Sequence, residues 1–445
     1  MIEIFAVGGY GEVGRNMTAV KVDDEVVIFD MGLHLPNYIK YTEEELGEIV
    51  KLNASDLRRV NAIPDDTVIK DWRSRVKAII PSHAHLDHIG AIPYLADRYN
   101  ADIICSPFAA AVINSILQDE KIKLPNKIVP LALNQMYVLS DNLRVELINV
   151  THSIPETVMI ALHTKHGVVL YSTDFKFDNS PVVGPKSNYA RLKQLGESGV
   201  VVALVDSLYA KDDKKTPSES VAREMLKDAM LGFNSKGKAL IVTTFSSHVA
   251  RLKSIIDFGR QLDRKIVFLG RSLAKYCAAA ENVGIYNFSK EVEIIKYGKQ
   301  IKQKLKEVEK KGREKFLLVV TGHQGEPKST LSKMLTKVLP FYFKSGDHVI
   351  FSCNIIPVSV NKDQRKILEQ KLNALGVRIF KDIHVSGHAA RQDMREFIEM
   401  VKPCHLVPVH SEKTAIAAFV ELAEMCGYKS GENVHRLFNG QKLKL

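Results

Sequence analysis

Residues 81–88 of this 445-residue chain read Pro-Ser-His-Ala-His-Leu-Asp-His. The apolar run VKAII at 76–80 predicts a strand before this stretch, and HIGAIPYLADRY after it has a helical pattern. Three histidines and an aspartate within six positions are costly to bury without partners. Imidazole nitrogen and carboxylate oxygen both bind zinc. We therefore expect this loop to supply ligands to two neighbouring cations: His83, His85, Asp87 and His88.

Two cations need more ligands than one loop supplies. Three further candidates close strand-like runs: His152 follows LINVT, Asp174 follows VVLYST and His410 follows HLVPV. Site residues gather at such strand ends in layered α/β folds. Each of the three alone is more simply explained as a structural residue, but as a set they complete two ligand spheres.

Composition and charge indicate a globular protein with a polyanionic partner. Hydrophobic residues make up 45% and charged residues 25%, which excludes a disordered or collagen-like chain. The net charge of +11 favours nucleic acid as the partner. The segment from Lys290 to Lys315 holds ten basic and five acidic residues. A solvated helix face and an RNA-facing helix explain this segment equally well.

The location is predicted from what the sequence lacks. No apolar run approaches the roughly 20 residues of a membrane span, and the N-terminal MIEIFAVGG predicts a strand rather than a secretory signal. The five cysteines are scattered and odd in number, which favours a reducing compartment over a disulfide framework. We expect a cytoplasmic protein without a membrane segment.

Two alternating patterns predict two domains. Strands alternate with amphipathic segments up to about residue 206, and a second set (ALIVTTF, KIVFLG, FLLVVTG and HVIFSC) predicts a mostly parallel sheet. Short strands (VRIFKDI and HLVPVH) and a helix from Thr414 to Met425 close the chain. We expect one α/β domain, residues 1–207 and 377–445, interrupted by an inserted domain over 208–376.

A glycine motif near the N-terminus resembles a cofactor site but lacks the required context. Gly9 to Gly14 match GxGxxG, and Asp30 ends a later strand, as in dinucleotide-binding folds. The intervening RNMTAVKVDDEVVIFD predicts two strands joined by a turn at Asp23 and Asp24, instead of the helix that such a site needs. We expect the glycines to allow close backbone approach near the metal site.

The ligand pattern resembles the metallo-β-lactamase superfamily. The resemblance implies an αββα sandwich and a dinuclear centre, with two Zn²⁺ per chain; such ligands also accept Mn²⁺. It implies one ion on His83, His85 and His152, another on Asp87, His88 and His410, and Asp174 as the bridge. Asp30 matches the early aspartate that orients the ligand loop.

His410 lies 236 positions after Asp174, which leaves room for a domain, an arrangement that resembles the β-CASP nucleases. The resemblance implies that Asp206 in ALVDS, His388 in HVSGHA and His410 in PVHSE are the motif residues of that group. Further strings resemble the ribonuclease J family: GGYGEVGRNM (8–17), TDFKFD (173–178), GRS (270–272), TGHQGEP (321–327), HVSGHA and PVHSE.

The sequence also departs from that family. Leu208 and Tyr209 stand where Thr and Asn are frequent, and His323 stands where a small residue is common. The chain ends soon after PVHSE, so we expect it to resemble the shorter archaeal forms. The resemblance to those forms implies a chain without the extra C-terminal domain of the bacterial enzymes, and we therefore do not expect oligomerisation through such a domain.

The resemblance implies a metal-dependent 5′-to-3′ exoribonuclease that acts on single-stranded RNA with a 5′-monophosphate, in RNA decay and maturation. It also implies a homodimer. Asp87 would orient the attacking water, while His388, held by Asp206, would assist the leaving 3′ oxygen. An endoribonuclease of the same group is the alternative. An inactive RNA-binding scaffold is disfavoured by the intact ligands, and a small-molecule hydrolase by the insert and the charge.

Two segments are candidates for RNA contacts. TGHQGEP suits a backbone phosphate cradle, although an ordinary strand-to-helix turn explains it as well. In TTFSSHVAR, Ser246, Ser247, His248 and Arg251 are candidates for the RNA path, and a capped helix start is the alternative. The expected phosphate contacts are Gly322, Gln324, Gly325, Ser247, His248, His384, Ser386 and His388.

Overall fold

The computed structural model describes residues 1–42, 52–356 and 359–445. They form two compact units: residues 1–179, 185–216 and 386–445, and residues 180–184 and 217–385. Both boundaries of the second unit, hereafter the insert, lie further along the chain than the expected 208 and 376. Residues 208–216, expected in the insert, lie in the first unit because they bind its other segments. For example, Thr216 Oγ1 donates to the carbonyl of His388 (2.8 Å).

The strands in the described ranges are β1 (Ile2–Gly8), β2 (Tyr10–Gly11), β3 (Met17–Val22), β4 (Glu25–Phe29), β5 (Val76–Ile80), β6 (Asp102–Cys105), β7 (Ile128–Pro130), β8 (Met136–Val138), β9 (Arg144–Asn149), β10 (Val158–Thr164), β11 (Gly167–Ser172), β12 (Val200–Asp206), β13 (Leu240–Thr243), β14 (Lys265–Leu269), β15 (Glu293–Ile295), β16 (Phe316–Val320), β17 (His348–Phe351), β18 (Arg378–Phe380), β19 (His405–Val409), β20 (Ser411–Glu412) and β21 (Lys442–Lys444).

The α-helices are α1 (Leu35–Lys40), α2 (Ala54–Arg59), α3 (Leu86–Ile89), α4 (Ile92–Leu95), α5 (Pro107–Glu120), α6 (Tyr189–Ser198), α7 (Glu219–Leu231), α8 (Val249–Gln261), α9 (Arg271–Asn282), α10 (Gly298–Lys311), α11 (Thr330–Leu335), α12 (Ser359–Ala374), α13 (Arg391–Val401) and α14 (Lys413–Met425). Short 3₁₀ helices cover Asp66–Arg75, Ala96–Arg98, Phe288–Lys290 and Arg313–Lys315.

The first unit is built on two large sheets, with strand orders β21-β1-β3-β4-β5-β6-β7 and β19-β12-β11-β10-β9-β8, and a two-stranded sheet, β2-β20. Apolar side chains from both sheets share one buried core, including Phe29 and Ile80 from the first and Leu147 and Val169 from the second. A second core lies between the β8–β12 and β19 sheet and helices α6, α13 and α14. The expected layered α/β architecture is confirmed.

The region after the glycine motif is a hairpin. Strands β3 and β4 pair antiparallel with Val22 opposite Glu25, and Asp23 in the turn has a left-handed φ of 52°. A crossover helix is therefore absent from residues 9–30, all of which the structure describes, and the dinucleotide interpretation is excluded.

The insert is built on a sheet of order β15-β14-β16-β13-β17-β18, and its strand pairs are parallel, as expected. Two predictions were wrong in detail. VRIFKDI was assigned to the closing segment, but β18 pairs with β17 and so belongs to the insert. The charged segment from Lys290 is not one helix, because the apolar Ile294 and Ile295 form β15 before α10 begins. In the described ranges, no helix is both long and apolar enough to cross a membrane.

Candidate metal centre and active site

The chemistry-bearing side chains of the first unit follow the ends of its strands. Six strands from the two large sheets carry a site residue or loop at their C-terminal ends. These are Asp30 after β4, residues 82–88 after β5, His152 after β9, Asp174 after β11, Asp206 at the end of β12 and His410 after β19. Asp30 and His410 both have left-handed backbones, with φ of 57° and 56°. Such a conformation is costly for residues other than glycine and is typical of functional sites.

Four side chains converge in a first ligand group: His83, His85, His152 and Asp174. Nδ1 of His85 lies 3.0 Å from Nε2 of His83 and 3.2 Å from Nε2 of His152. Oδ2 of Asp174 lies 3.6 Å from Nε2 of His83 and 3.7 Å from Nε2 of His152.

A second group contains Asp87, His88, His410 and again Asp174. Nε2 of His88 lies 3.3 Å from Oδ2 of Asp174 and 3.6 Å from Oδ2 of Asp87. Nε2 of His410 lies 3.8 Å from Oδ1 of Asp174 and 3.9 Å from Oδ2 of Asp87. The structure thus brings all seven predicted ligands together, and Asp174 takes part in both groups.

These distances suit a metal ion. Tetrahedral ligands bonded at about 2.0–2.2 Å lie about 3.3–3.6 Å from one another, and the measured separations fall close to this range. Burial lowers the pKa of His85 to about 4 and holds the pKa values of His83 and His152 well below their usual range. The three imidazoles are therefore neutral near pH 7 and have lone pairs available for a cation.

Asp174 is the carboxylate that both groups share, and Asp87 adds a second carboxylate to the second group. Burial alone would raise the pKa of this carboxyl, but the surrounding histidines, His410 foremost, outweigh burial and hold the pKa well below its usual range. The donor set of one shared carboxylate, the Asp87 carboxylate and five histidine imidazoles fits a pair of divalent cations.

Asp30 holds the ligand loop, residues 82–88, through hydrogen bonds. One of its carboxylate oxygens accepts from the backbone N–H of Ser82 (2.7 Å), and the other faces Nδ1 of His88 (2.7 Å). Tyr171 also donates to Asp30 through its hydroxyl (2.9 Å). A carboxylate that binds Nδ1 of a histidine leaves Nε2 for a metal and fixes the ring. This geometry accords with the orienting role expected for Asp30.

Asn16 and Gly387 were missed by sequence reasoning. Asn16 places Oδ1 2.9 Å from Nδ1 of His410 and donates through Nδ2 to the carbonyl of Asp87 (3.0 Å). The carbonyl of Gly387 lies 2.7 Å from Nδ1 of His152. Asn16 lies within the glycine-rich string GGYGEVGRNM (8–17). Its place in that string is the one sequence signal that could have indicated a role near the metal site. The glycines do allow close approach, since the Gly9 carbonyl accepts from the backbone N–H of His410 (2.8 Å).

His388 and Asp206 form a pair beside the ligand groups. Nδ1 of His388 lies 2.8 Å from Oδ2 of Asp206, and the other oxygen of Asp206 accepts from the backbone N–H of Leu208 (2.9 Å). Burial lowers the pKa of His388, but the carboxylates of Asp174 and Asp206 outweigh it and raise this pKa to about 9. His388 is thus positively charged near pH 7, with Nε2 3.8 Å from Asp174.

The expected phosphate contacts are distributed over both units. Ser386 lies in the first unit, where its hydroxyl accepts from the backbone N–H of His388 (3.0 Å), and His384 lies in the insert and is half-buried. Gly322 and Gly325 have left-handed backbones with φ of 125° and 85°. They form the turn after β16 that the TGHQGEP string predicts.

Gln324 is occupied within the insert. Its side-chain amide donates to the carbonyl of Asn354 (2.9 Å) and accepts from the backbone N–H of Ile356 (2.8 Å). These two bonds join the glycine turn to the loop after β17. The Gln324 side chain is buried between them. Of the three phosphate contacts expected in TGHQGEP, Gln324 is therefore not available in this conformation, and Gly322 and Gly325 remain.

The TTFSSHVAR segment begins helix α8, and part of it is internal. Ser247 is half-buried just before the helix, whereas His248 is buried with Nε2 3.4 Å from Glu219. Arg251 is fully buried: it forms a bidentate pair with Glu219 and donates to the carbonyl of Ile383 (2.9 Å). The expectation that Arg251 lines the RNA path was wrong, because its guanidinium ties α7 and α8 to the segment before His384.

Comparison with known proteins identifies the family. Three family models match: the metallo-beta-lactamase superfamily over residues 10–228, the ribonuclease J beta-CASP domain over 237–369, and a Zn-dependent metallo-hydrolase RNA specificity domain over 375–436. The chain is 43% identical to a ribonuclease J of Methanocaldococcus jannaschii, covering 99% of this chain and 98% of that one. The chain belongs to the ribonuclease J family. The family carries the metallo-β-lactamase fold with an inserted β-CASP domain, as the resemblance implied.

Other relatives agree with this membership. A ribonuclease J of Pyrococcus abyssi is 40% identical, with 100% of this chain and 97% of that one covered. A crystal structure of a protein of unknown function from Enterococcus faecalis V583 matches with a TM-score of 0.66 at 16% identity over 100% of both chains, which shows the fold alone. Membership in the ribonuclease J family supports a metal-dependent hydrolase of the nuclease class.

Proposed function

We propose that this protein is a 5′-to-3′ exoribonuclease that hydrolyses single-stranded RNA from a 5′-monophosphate end, in RNA decay and maturation. The observation that carries the proposal is the pair of ligand groups that share Asp174, with the His388–Asp206 pair beside them. In a member of the ribonuclease J family, this arrangement is suited to hydrolysis of a phosphodiester.

The proposed cofactor is a pair of Zn²⁺ ions, with Mn²⁺ as the alternative. His83, His85 and His152 would hold one ion, Asp87, His88 and His410 the other, and Asp174 both. Two such ions activate water and neutralise charge on the phosphoryl oxygens. The low pKa values of the first group favour ion binding at neutral pH, because few protons must be displaced.

Asp87 and His388 are the proposed catalytic residues. In the second ligand group the Asp87 side chain is 21% exposed, whereas those of His88, Asp174 and His410 are at most 2% exposed. His388 is 18% exposed. Both groups can therefore reach a substrate. Asp87 can accept a hydrogen bond from the attacking water, and protonated His388 can give a proton to the leaving 3′ oxygen.

Asp206 would act through His388. Its carboxylate accepts from Nδ1, so the proton for the leaving group is held at Nε2. Because Asp206 is buried and its second oxygen is engaged by Leu208, the orientation of the imidazole is fixed before substrate arrives.

The proposed 5′-monophosphate contacts of the first unit are Ser386 and His388. In the insert, Gly322, Gly325 and His384 are the proposed phosphate contacts, with Ser247 as a further contact along the RNA. Support comes from the net positive charge of the chain. In the glycine turn the backbone N–H of Gly325 donates to the carbonyl of Gly322 (3.1 Å) and that of Gln324 to the Glu326 carboxylate (2.9 Å), so a phosphate bound there would replace these two bonds. A homodimer and a cytoplasmic location remain predictions from the resemblance and the cysteine pattern.

The deciding experiment digests one RNA sequence, radiolabelled internally and at its 3′ end, prepared with a 5′-monophosphate or a 5′-hydroxyl. We expect mononucleotides to accumulate without internal fragments, faster from the monophosphate, and a chelator to stop the reaction. Discrete internal fragments would identify the endonuclease instead. The absence of any product with Zn²⁺ or Mn²⁺ supplied would leave the RNA-binding scaffold.

A further inference from the structure

Helix α10 (Gly298–Lys311) of the insert has two unlike faces. Ile301, Leu305 and Val308 are buried in the core of the insert. Four exposed lysines, hereafter the lysine stripe, are Lys299, Lys302, Lys306 and Lys310. At 3.6 residues per turn they fall within an arc of about 80° and extend about 16 Å along the axis. They therefore form a continuous row on the face away from the core.

The acidic residues of α10 have partners outside this row. Glu307 pairs with Lys304 and with Lys311 (2.9 Å), and Glu309 pairs with Arg313. In the described parts of the chain, no carboxylate lies within 4.0 Å of a stripe lysine. Like charges three and four residues apart destabilise a helix. The lysine stripe is thus a row of uncompensated positive charge that a polyanion would relieve.

Two exposed tyrosines adjoin the helix. Tyr297 immediately precedes it and is 56% exposed. Tyr342 is 55% exposed, and its backbone N–H donates to the Glu309 carboxylate (3.1 Å), which places it next to α10. Lysine rows bind phosphates, while exposed aromatic rings stack on unpaired bases. This combination favours single-stranded nucleic acid over an acidic peptide or a lipid headgroup, since those lack bases.

We propose that the lysine stripe, with Tyr297 and Tyr342, binds single-stranded RNA through phosphate contacts and base stacking, without sequence preference. The inference rests on the proposed function, because it takes the RNA substrate as the polyanion. It adds a binding surface that belongs wholly to the insert and lies outside the ligand groups.

The first test compares two quadruple variants with equal change in charge. The stripe variant is K299Q/K302Q/K306Q/K310Q, and the matched control is K123Q/K127Q/K193Q/K444Q, which removes four exposed lysines from the first unit. Affinity for single-stranded RNA is measured against salt concentration, with chelator present to prevent cleavage. For single strands the logarithmic salt slope falls by about 0.7 per lost phosphate contact, or roughly 3 for four lysines. Equal slopes in the two variants would overturn the proposal.

The second test separates base stacking from general attraction of anions. The double variant Y297S/Y342S is measured on single-stranded RNA and on dextran sulfate, a polyanion without bases. We expect affinity for RNA to weaken about fivefold or more and affinity for dextran sulfate to stay unchanged. Unchanged affinity for both would refute recognition of RNA at this surface, as would an equal loss for both.

RNA cleavage by the unaltered protein is assayed in a separate experiment. Failure of the proposed function can then be distinguished from failure of the proposed RNA binding by the lysine stripe. RNA cleavage together with identical salt slopes would contradict only the lysine stripe. A stripe-dependent slope without any RNA cleavage would contradict only the proposed function.

Discussion

Nδ1 of His388 lies 2.8 Å from the carboxylate of Asp206, although the two residues are 182 positions apart and residues 217–385 of the insert separate them in sequence. Asp206 is buried at the end of β12, and His388 is partly exposed at the start of the returning segment. A charged histidine that is fixed by a buried carboxylate on one side is suited to deliver a proton on the other.

We expect Asp206→Asn to slow RNA cleavage and to shift its pH dependence. The carboxylate raises the pKa of His388, so its loss lowers that pKa, and the protonated form disappears at lower pH. The alkaline limb of the rate profile should therefore move to lower pH, with a rate loss of about a hundredfold or more near pH 7. Asp213→Asn, an exposed neighbour, is the control. An unmoved alkaline limb would exclude His388 as the acid.

We expect His85→Ala and Asp87→Ala to abolish cleavage while RNA binding stays measurable. Each removes one ligand from a different group, so metal analysis should find about one ion fewer per chain. His435→Ala, which changes a histidine outside both groups, should leave metal content and activity intact. Full activity in either ligand variant would refute the dinuclear mechanism.

Asn16→Ala should weaken metal binding without removing a ligand. Asn16 orients His410 through Nδ1 and holds the backbone of Asp87, and partners of this kind change metal affinity by about 10- to 100-fold. The measurement is a metal titration, followed by an activity assay at saturating metal, where much of the rate should return. Asn100→Ala, an exposed asparagine, serves for comparison. Unaltered metal affinity would show that the contact does not orient His410.

Gly387→Ala should disturb His152. A Cβ at this position would lie 2.8 Å from Nδ1 of His152 and 2.8 Å from the side chain of Ser153, too close for either to remain in place. We expect lower metal affinity and slower cleavage. Gly298→Ala is the control, since a Cβ there meets no atom within 4 Å. Wild-type metal affinity in Gly387→Ala would show that the loop moves freely.

Glu146 should raise the free energy of unfolding of the first unit at neutral pH, and this contribution should be lost at low pH. Burial would raise its pKa, but His163 (2.9 Å) and bidentate Arg191 outweigh burial and lower it to about 2. Its contribution is thus fully present above the unfolded-state pKa of about 4.3 and disappears as pH falls toward 2. Glu146→Gln should lower the free energy of unfolding by about 2 to 3 kcal/mol at pH 7.

Denaturant unfolding at several pH values measures this loss, and Glu197→Gln, exposed on α6, should cause little change. The difference between Glu146→Gln and the unaltered protein should shrink below about pH 4. A difference that is independent of pH would mean that the ion pairs do not contribute.

The ligands were predictable because strand ends and histidine spacing are local signals. His83, His85, Asp87 and His88 share one loop, and His152, Asp174 and His410 each follow an apolar run. The orienting contacts were not predictable, since they join distant segments. Asn16 is 394 positions from His410, and the carbonyl of Gly387 has no side-chain signature at all.

The insert shows a second limit of sequence reasoning. Nothing in the residue type distinguishes the buried Arg251 from an exposed arginine, because its partners Glu219, Ser352 and Ile383 lie 32, 101 and 132 positions away. Strand β18 was assigned to the closing segment for a similar reason. Its pairing with β17 depends on the order of strands in the sheet, which no periodicity reveals.

The order of the two ligand groups along the chain has a consequence for biosynthesis. The first group is complete once Asp174 has been made, whereas the second waits for His410, and the His388–Asp206 pair waits for the end of the insert. A product truncated within residues 217–385 of the insert therefore has one full set of ligands but lacks both His388 and His410. On the proposed mechanism, the nascent chain cannot cleave the messenger that encodes it until the ribosome has passed His410.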